Sequence, residues 1–233
     1  MNLLCGSFAV VVALMYNDLT LAFWLIVAGI VFDFFDGFVA RLLHSSSAIG
    51  VQLDSLADVI TSGLAPAAVL WQVCLQTEPC WLPEGWKLGY GVFVLAAFSA
   101  LRLAKFNIDE TQTVEFCGLP TPAGSLLCAS LGMLWQQGML ALSSDGVLLV
   151  AVLTSLLLVS PIRMFALKFH GFGWRGNEVR YLFLLASIVL IIILRTYAIP
   201  VIIVLYIVVS AVRWLCMRSG NPDLSLIHIS EPT

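Results

Sequence analysis

Long apolar runs, separated by short polar or Gly/Pro-containing breaks, dominate the chain. They predict eight helices, near residues 2–16, 20–43, 48–75, 87–106, 121–142, 146–168, 178–197 and 199–217. Several approach the roughly 20 residues that a helix needs to cross about 30 Å of hydrocarbon. Pro200 divides the last apolar stretch and predicts a tight hairpin there. One break in the pattern is of another kind. Asp33, Asp36, Asp54 and Asp58 stand inside the second and third runs, not between them.

Composition settles the class. The 233 residues are 61% hydrophobic and 11% charged, against about 25% charged in soluble domains. Mean hydropathy is +1.01. A soluble core could not hide this much apolar surface. The expectation is an all-α, polytopic membrane helical bundle of about eight transmembrane helices. It forms one domain over 1–218, followed by a tail, 219–233, that is disordered or foreign to the fold. No basic stripe interleaved with aromatics points to nucleic acid. The N-terminus lacks the basic flank and small-residue cleavage site of a signal peptide.

The net charge of −3 matters less than its placement. With these helices, Arg41, Arg102, Lys105, Arg163, Lys168, Arg175, Arg180, Arg213 and Arg218 fall on one side. Lys87, Arg195, Asp18, Glu78, Glu84 and Asp145 fall on the other. The positive-inside rule makes the first side, with both termini, cytoplasmic. The expected location is therefore the cell membrane, multi-pass. Cysteines in apolar runs read as small hydrophobes, although Cys74 and Cys80 bracket one loop and an oxidising compartment would allow a disulfide there.

Asp33 and Asp36 are three apart on one helix and Asp54 and Asp58 four apart on the next, so each pair shares a face. A short turn, HSSSAIG, makes the two helices antiparallel neighbours and brings the four carboxylates together. Charge at membrane depth costs roughly 2.5–3.5 kcal/mol per group, and the carboxylates repel one another. Either protons or cations neutralise them. Hard oxygen donors suit Mg²⁺ or Mn²⁺, and four aspartates suffice for two divalent ions, the clamp used in phosphoryl transfer. Gly37, Ala40 and Gly50 keep the surroundings small, either leaving room for a substrate or allowing close helix packing. Arg41 follows on the same face as a phosphate clamp or an interfacial anchor.

The spacing Asp33-x2-Asp36-Gly37-x2-Ala40-Arg41-x8-Gly50-x3-Asp54-x3-Asp58 resembles, at all eight fixed positions, the signature of the CDP-alcohol phosphatidyltransferases. The resemblance implies a membrane enzyme that moves a phosphatidyl-type group from a CDP-linked lipid to an alcohol, releasing CMP. It implies that the four aspartates ligate two divalent metals and that Asp58 is the general base. It also implies that Gly37 and Ala40 line the cytidine diphosphate pocket, Gly50 leaves room beside it, Arg41 touches the nucleotide or its phosphates, and the enzyme is a homodimer. Asn2 would be a remnant of a nucleotide-contacting segment.

The stretches NLLCGSFAV, SALRLAKFNID and FCGLPTPAG further resemble the phosphatidylserine synthase subfamily. The substrates implied are CDP-diacylglycerol and L-serine, at a cytoplasmic active site in contact with membrane lipid. Arg102 and Lys105 are placed to hold the serine carboxylate or the lipid diphosphate. Asn107 would add a hydrogen bond to either, and Arg163 would contact the lipid diphosphate. Equally, these cations serve as positive-inside anchors. Glycerol 3-phosphate or inositol phosphate is the rival acceptor. A divalent-cation transporter is the rival of another class, but it expects carboxylates spread through the membrane depth, not gathered at one end of two helices.

Overall fold

In a computed structural model the described residues are 1–42, 48–81, 88–108, 116–165 and 177–220. The first rod is α1 (Asn2–Val11), continued by a π-helical turn (Val12–Tyr16). Asn17, in the left-handed region at φ 53°, ends it and reverses the chain into α2 (Leu19–Leu42). A second rod joins α3 (Ala48–Asp58), a π-helical turn (Val59–Leu64) and α4 (Ala65–Gln76) without a break. A 3-10 turn (Leu88–Phe93) leads into α5 (Val94–Ile108). Then come β1 (Phe116–Cys117), α6 (Thr121–Gln136), α7 (Ser144–Leu158), β2 (Arg163–Met164), α8 (Glu178–Leu194) and α9 (Ala198–Gly220).

The order of helices follows expectation, but three details differ. α6 stops at Gln136, not 142, because Gly138 turns the chain at φ 69°. α7 ends at Leu158, so Arg163 lies not in a helix but in a strand, where Cys117 pairs antiparallel with Arg163 and Phe116 with Met164. The hairpin bend falls at Arg195 (φ 48°, ψ −111°), ahead of Pro200 in the first turn of α9. Lys87, Glu84, Lys168, Arg175 and residues 221–233 lie outside the described residues. Cys74 and Cys80 are free thiols.

Four stretches are long and apolar enough to cross a membrane: Leu19–Val39, Ile49–Gln76, Gly89–Ile108 and Val179–Cys216. Their outward residues, such as Trp24, Leu182, Leu185, Ile192 and Ile193, are exposed, which requires a lipid solvent. Inside, Phe23, Ile26, Val69, Leu70, Leu95, Met133 and Leu158 are fully or almost fully buried and knit α2, α4, α5, α6 and α7 together. Among the described residues the regular structure is helical apart from the two-residue ladder, as befits an all-α membrane protein.

Hydrogen bonds tie each end of the bundle. At one end, Thr20 N donates to Gln136 Oε1 at 2.9 Å, Asn17 Nδ2 to Gln76 Oε1 at 3.2 Å, and Tyr197 Oη to the Met139 carbonyl at 2.6 Å. Asp145 accepts there from the amides of Cys80 and Trp81. Asp18, Glu78 and Arg195 share this end, and Arg102, Lys105 and Arg163 the other, as the charge pattern predicts. The second end is built on the ladder. Gly118 N donates to Ile162 O and Leu119 N to Leu157 O, each at 2.9 Å. A Cβ at Gly118 would stand 2.2 Å from the Leu158 carbonyl oxygen, at a φ of 77° that L-residues avoid. Gly118→Ala therefore lowers the Tm of the purified protein by at least about 5 °C in a thermal-unfolding assay; an unchanged Tm would show that the ladder does not hold this end.

Candidate active site

Two rods bring the acidic residues together. In α2 the i, i+3 spacing puts Asp33 and Asp36 on neighbouring positions of one face; in α3 the i, i+4 spacing does so for Asp54 and Asp58. The π-helical turn begins directly after Asp58. Such a turn adds a residue to the helical repeat and re-aims the side chains beyond it. Here it buries Thr61, Ser62 and Gly63 while leaving Asp58 half-buried at the mouth.

The close approach of the helices has a steric cause. A Cβ at Gly6 of α1 would come within 2.3 Å of Thr61 Oγ1, and one at Gly29 of α2 within 2.6 Å of Thr61 Cγ2. Only glycine lets α1 and α2 close on the π-helical turn. Asn2, at the start of α1, is thereby set between the two acidic helices. Its Nδ2 donates to Asp33 Oδ1 at 3.0 Å and to Asp58 Oδ1 at 2.9 Å. The two oxygens thus lie no further apart than these two bonds laid end to end.

Asp33 also lies within hydrogen-bonding range of Asp54 and in the field of Asp58. Asp58 in turn feels both Asp54 and the Arg102 guanidinium. Three of the four aspartates therefore share one neighbourhood. Asp36, on the same face of α2, is exposed, and its Oδ2 is 3.8 Å from the amino group of Met1, the residue next to Asn2. Among the described residues no three acidic, thiol or imidazole groups close to metal-ligand spacing. The carboxylates are arranged pairwise around an amide donor instead. Their chemistry still fits a hard divalent ion. Asp33 and Asp58 offer oxygens from facing helices to one shared point, and that point already holds positively polarised hydrogens.

Gly37 stands on the same face of α2, and a Cβ there would meet no heavy atom within 4 Å. Among the described residues it is not a packing glycine and borders open space. Gly50 lies exposed in α3. Ala40 and Arg41 lie in α2, but their side chains are outside the described residues.

On the flank of the aspartates is a cavity of about 220 Å³ lined by Arg102, Lys105, Phe106, Cys117, Ser160 and Pro161, among others. Arg102 reaches it from the last turns of α5, where one guanidinium nitrogen donates to Thr121 Oγ1 at 2.5 Å and Nε is buried without a partner. Lys105, one turn on, is exposed. Asn107 spends one of its two amide N–H donors on Ser55 Oγ at 2.9 Å, which ties α5 to α3 beside Asp54. Arg163 is exposed on β2, opposite Cys117 of the cavity wall. Sequence reasoning misses the Asn2 clamp and Thr121. The only signal for the clamp is that Asn2 is a polar residue opening an apolar run.

The sequence matches the model of the family described as CDP-alcohol phosphatidyltransferase over residues 1–166. Among similar proteins, the CDP-diacylglycerol–serine O-phosphatidyltransferase of Bacillus subtilis is 33% identical over 173 residues, covering 73% of this chain and 88% of the relative. The Helicobacter pylori (strain 26695) protein of the same name is 32% identical over 203 residues, 84% of this chain and 80% of its own length. That of Mycobacterium leprae is 38% identical over 149 residues, 60% of this chain and 47% of its own.

Proposed function

Because the chain belongs to the CDP-alcohol phosphatidyltransferase family, we propose that it transfers the phosphatidyl group of CDP-diacylglycerol to L-serine, giving phosphatidylserine and CMP. The observation that carries this reading is the junction of two unlike sites through Arg102. The guanidinium whose charge Asp58 feels also lines a cavity with Lys105. A carboxylate site that suits divalent ions thus adjoins a cationic pocket that suits a small anionic acceptor.

Asp33, Asp36, Asp54 and Asp58 are the residues that would hold two divalent ions, Mg²⁺ or Mn²⁺. Bound there, the ions would supply charge neutralisation for the diphosphate and for departing CMP. The protein does the rest. Arg102 and Lys105 hold the serine carboxylate in the cavity, which turns the hydroxyl toward Asp58. Asp58 accepts the hydroxyl proton as that oxygen attacks the lipid-side phosphorus, whose bond to the CMP oxygen breaks. Gly37 leaves the opening through which the diphosphate reaches the carboxylates, with Ala40, Arg41 and Gly50 around it. Arg163 contacts the lipid diphosphate from the ladder. Exposed Phe34, Phe35 and Phe38 flank the aspartates on α2 and offer an apolar rail for the acyl chains.

The membrane reading is finer than four spans. We take the shorter apolar helices and the two arms of the α8–α9 hairpin as crossings too, eight in all. The aspartate end then faces the cytoplasm of the cell membrane, and residues 1–218 form the catalytic domain.

The test offers CDP-diacylglycerol with labelled serine, glycerol 3-phosphate or inositol phosphate, with and without EDTA. Serine alone enters lipid, and EDTA abolishes the reaction. Transfer to a phosphorylated acceptor would overturn the choice of serine, and transfer persisting in EDTA would overturn the two-ion site.

A further inference from the structure

We propose that Asn2 is a positioning residue of the aspartate site: its side-chain amide holds Asp33 and Asp58 together while no divalent ion lies between them, and yields that place when one does. The proposal rests on the two-ion reading above.

Asn2 is 4% exposed and fixed from three directions. Its carbonyl accepts a hydrogen bond from Thr61 Oγ1 at 3.1 Å. Its amide nitrogen donates to one carboxylate on each acidic helix. Its amide oxygen lies so close to α2 that a Cβ at Gly29 would stand 3.2 Å from it. An amide has two N–H donors, and both are committed to aspartates. The oxygen end is buried with no donor, a condition that ordinarily destabilises. The side chain is therefore oriented by the carboxylates, not by its own best set of partners.

Charge decides what this arrangement does. Two carboxylates on facing helices repel, and a neutral amide weakens that repulsion without cancelling it. A divalent ion cancels it, and binds carboxylate oxygens at roughly 2.0–2.6 Å. An N–H cannot point at a cation, so ion and amide donor are alternatives at the point shared by Asp33 and Asp58. Asn2 thus keeps the site closed enough to receive its ion, and Gly6, Gly29 and Thr61 hold Asn2 there.

The experiment uses the purified full chain in detergent. Thermal unfolding is followed in EDTA and in saturating Mn²⁺, and Mn²⁺ binding is read separately by electron paramagnetic resonance. In the wild type Mn²⁺ raises Tm. Asn2→Leu lowers Tm in EDTA by several degrees more than in Mn²⁺, so the ion-induced gain widens. Its Mn²⁺ affinity is tighter, by up to about tenfold, because no donor must be displaced. Asn2→Asp, which adds a carboxylate, shows the largest gain of all. Thr61→Val removes only the bond to the Asn2 carbonyl and lowers both Tm values alike. Equal losses in the two media for the Asn2 variants, or unchanged or weaker Mn²⁺ binding by Asn2→Leu, would overturn the proposal and leave Asn2 a packing residue. A wild type that neither binds Mn²⁺ nor gains Tm would instead overturn the two-ion reading, and this role of Asn2 with it.

Discussion

Asp58→Asn lowers turnover by about a thousandfold, while the Kd for CDP-diacylglycerol stays within about threefold of the wild type. The substitution keeps shape and removes the ability to take a proton. Asp58 is suited to that task by position. It is half-buried at the start of the π-helical turn, and it feels the charge of the Arg102 guanidinium. Among the described residues only its Oδ1 carries a hydrogen bond, from Asn2, which leaves Oδ2 to meet a substrate hydroxyl. A group that grips an ion tightly with both oxygens cannot also serve as a base, so Asp58 is expected to be a weak or outer ligand. Asp33 and Asp54 would then still hold the divalent charge that neutralises the lipid diphosphate, and binding survives the change. Single-turnover kinetics and a lipid-binding measurement on the same preparation separate the two effects. Losses of equal size in turnover and in binding would make Asp58 a structural ligand and remove it as the base.

Much of this site is legible in the sequence. Helical spacing alone puts Asp33 beside Asp36 and Asp54 beside Asp58, and a short connection alone makes the two helices neighbours. The physics is local, so the sequence carries it. The apolar runs are legible for the same reason: in lipid a helix must satisfy its backbone within itself, and its length shows as a continuous run. Whatever depends on contact between distant segments does not show. The ladder between Cys117 and Arg163 joins residues 46 apart in sequence by two-residue strands, too short for any alternation to register. The π-helical turn at Val59–Leu64 reads as ordinary helix, and the close approach of Gly6 and Gly29 to its Thr61 joins segments far apart in sequence. The bond from Asn107 to Ser55 across the α3–α5 contact, which takes one of the amide's two donors, is not legible either. The 3.8 Å approach of the Met1 amino group to Asp36 is likewise a contact between distant segments that helical spacing does not show.

Arg102→Gln collapses the preference for serine over ethanolamine, the same acceptor without its carboxylate. The wild type favours serine strongly, because the guanidinium and Lys105 lie in one cavity and ethanolamine gives them nothing to bind. Losing a hydrogen-bonded, partly buried charge contact costs about 2–3 kcal/mol, which is roughly a 30- to 150-fold rise in serine KM. For ethanolamine the KM should hardly move. Arg102 is prepared for this role: Thr121 fixes one nitrogen, and the Nε left buried without a partner marks a guanidinium whose hydrogen bonds are incomplete until an anion arrives. The competing account has Arg102 acting only through the charge of Asp58. It predicts that kcat/KM falls by the same factor for both acceptors, since both need the same base. Arg102→Lys adds a second reading of the same question. It keeps the charge that Asp58 feels but loses the planar fork that Thr121 orients. If Arg102 grips the carboxylate, Arg102→Lys remains poor with serine and near normal with ethanolamine; if its charge on Asp58 is all that matters, Arg102→Lys is near normal with both.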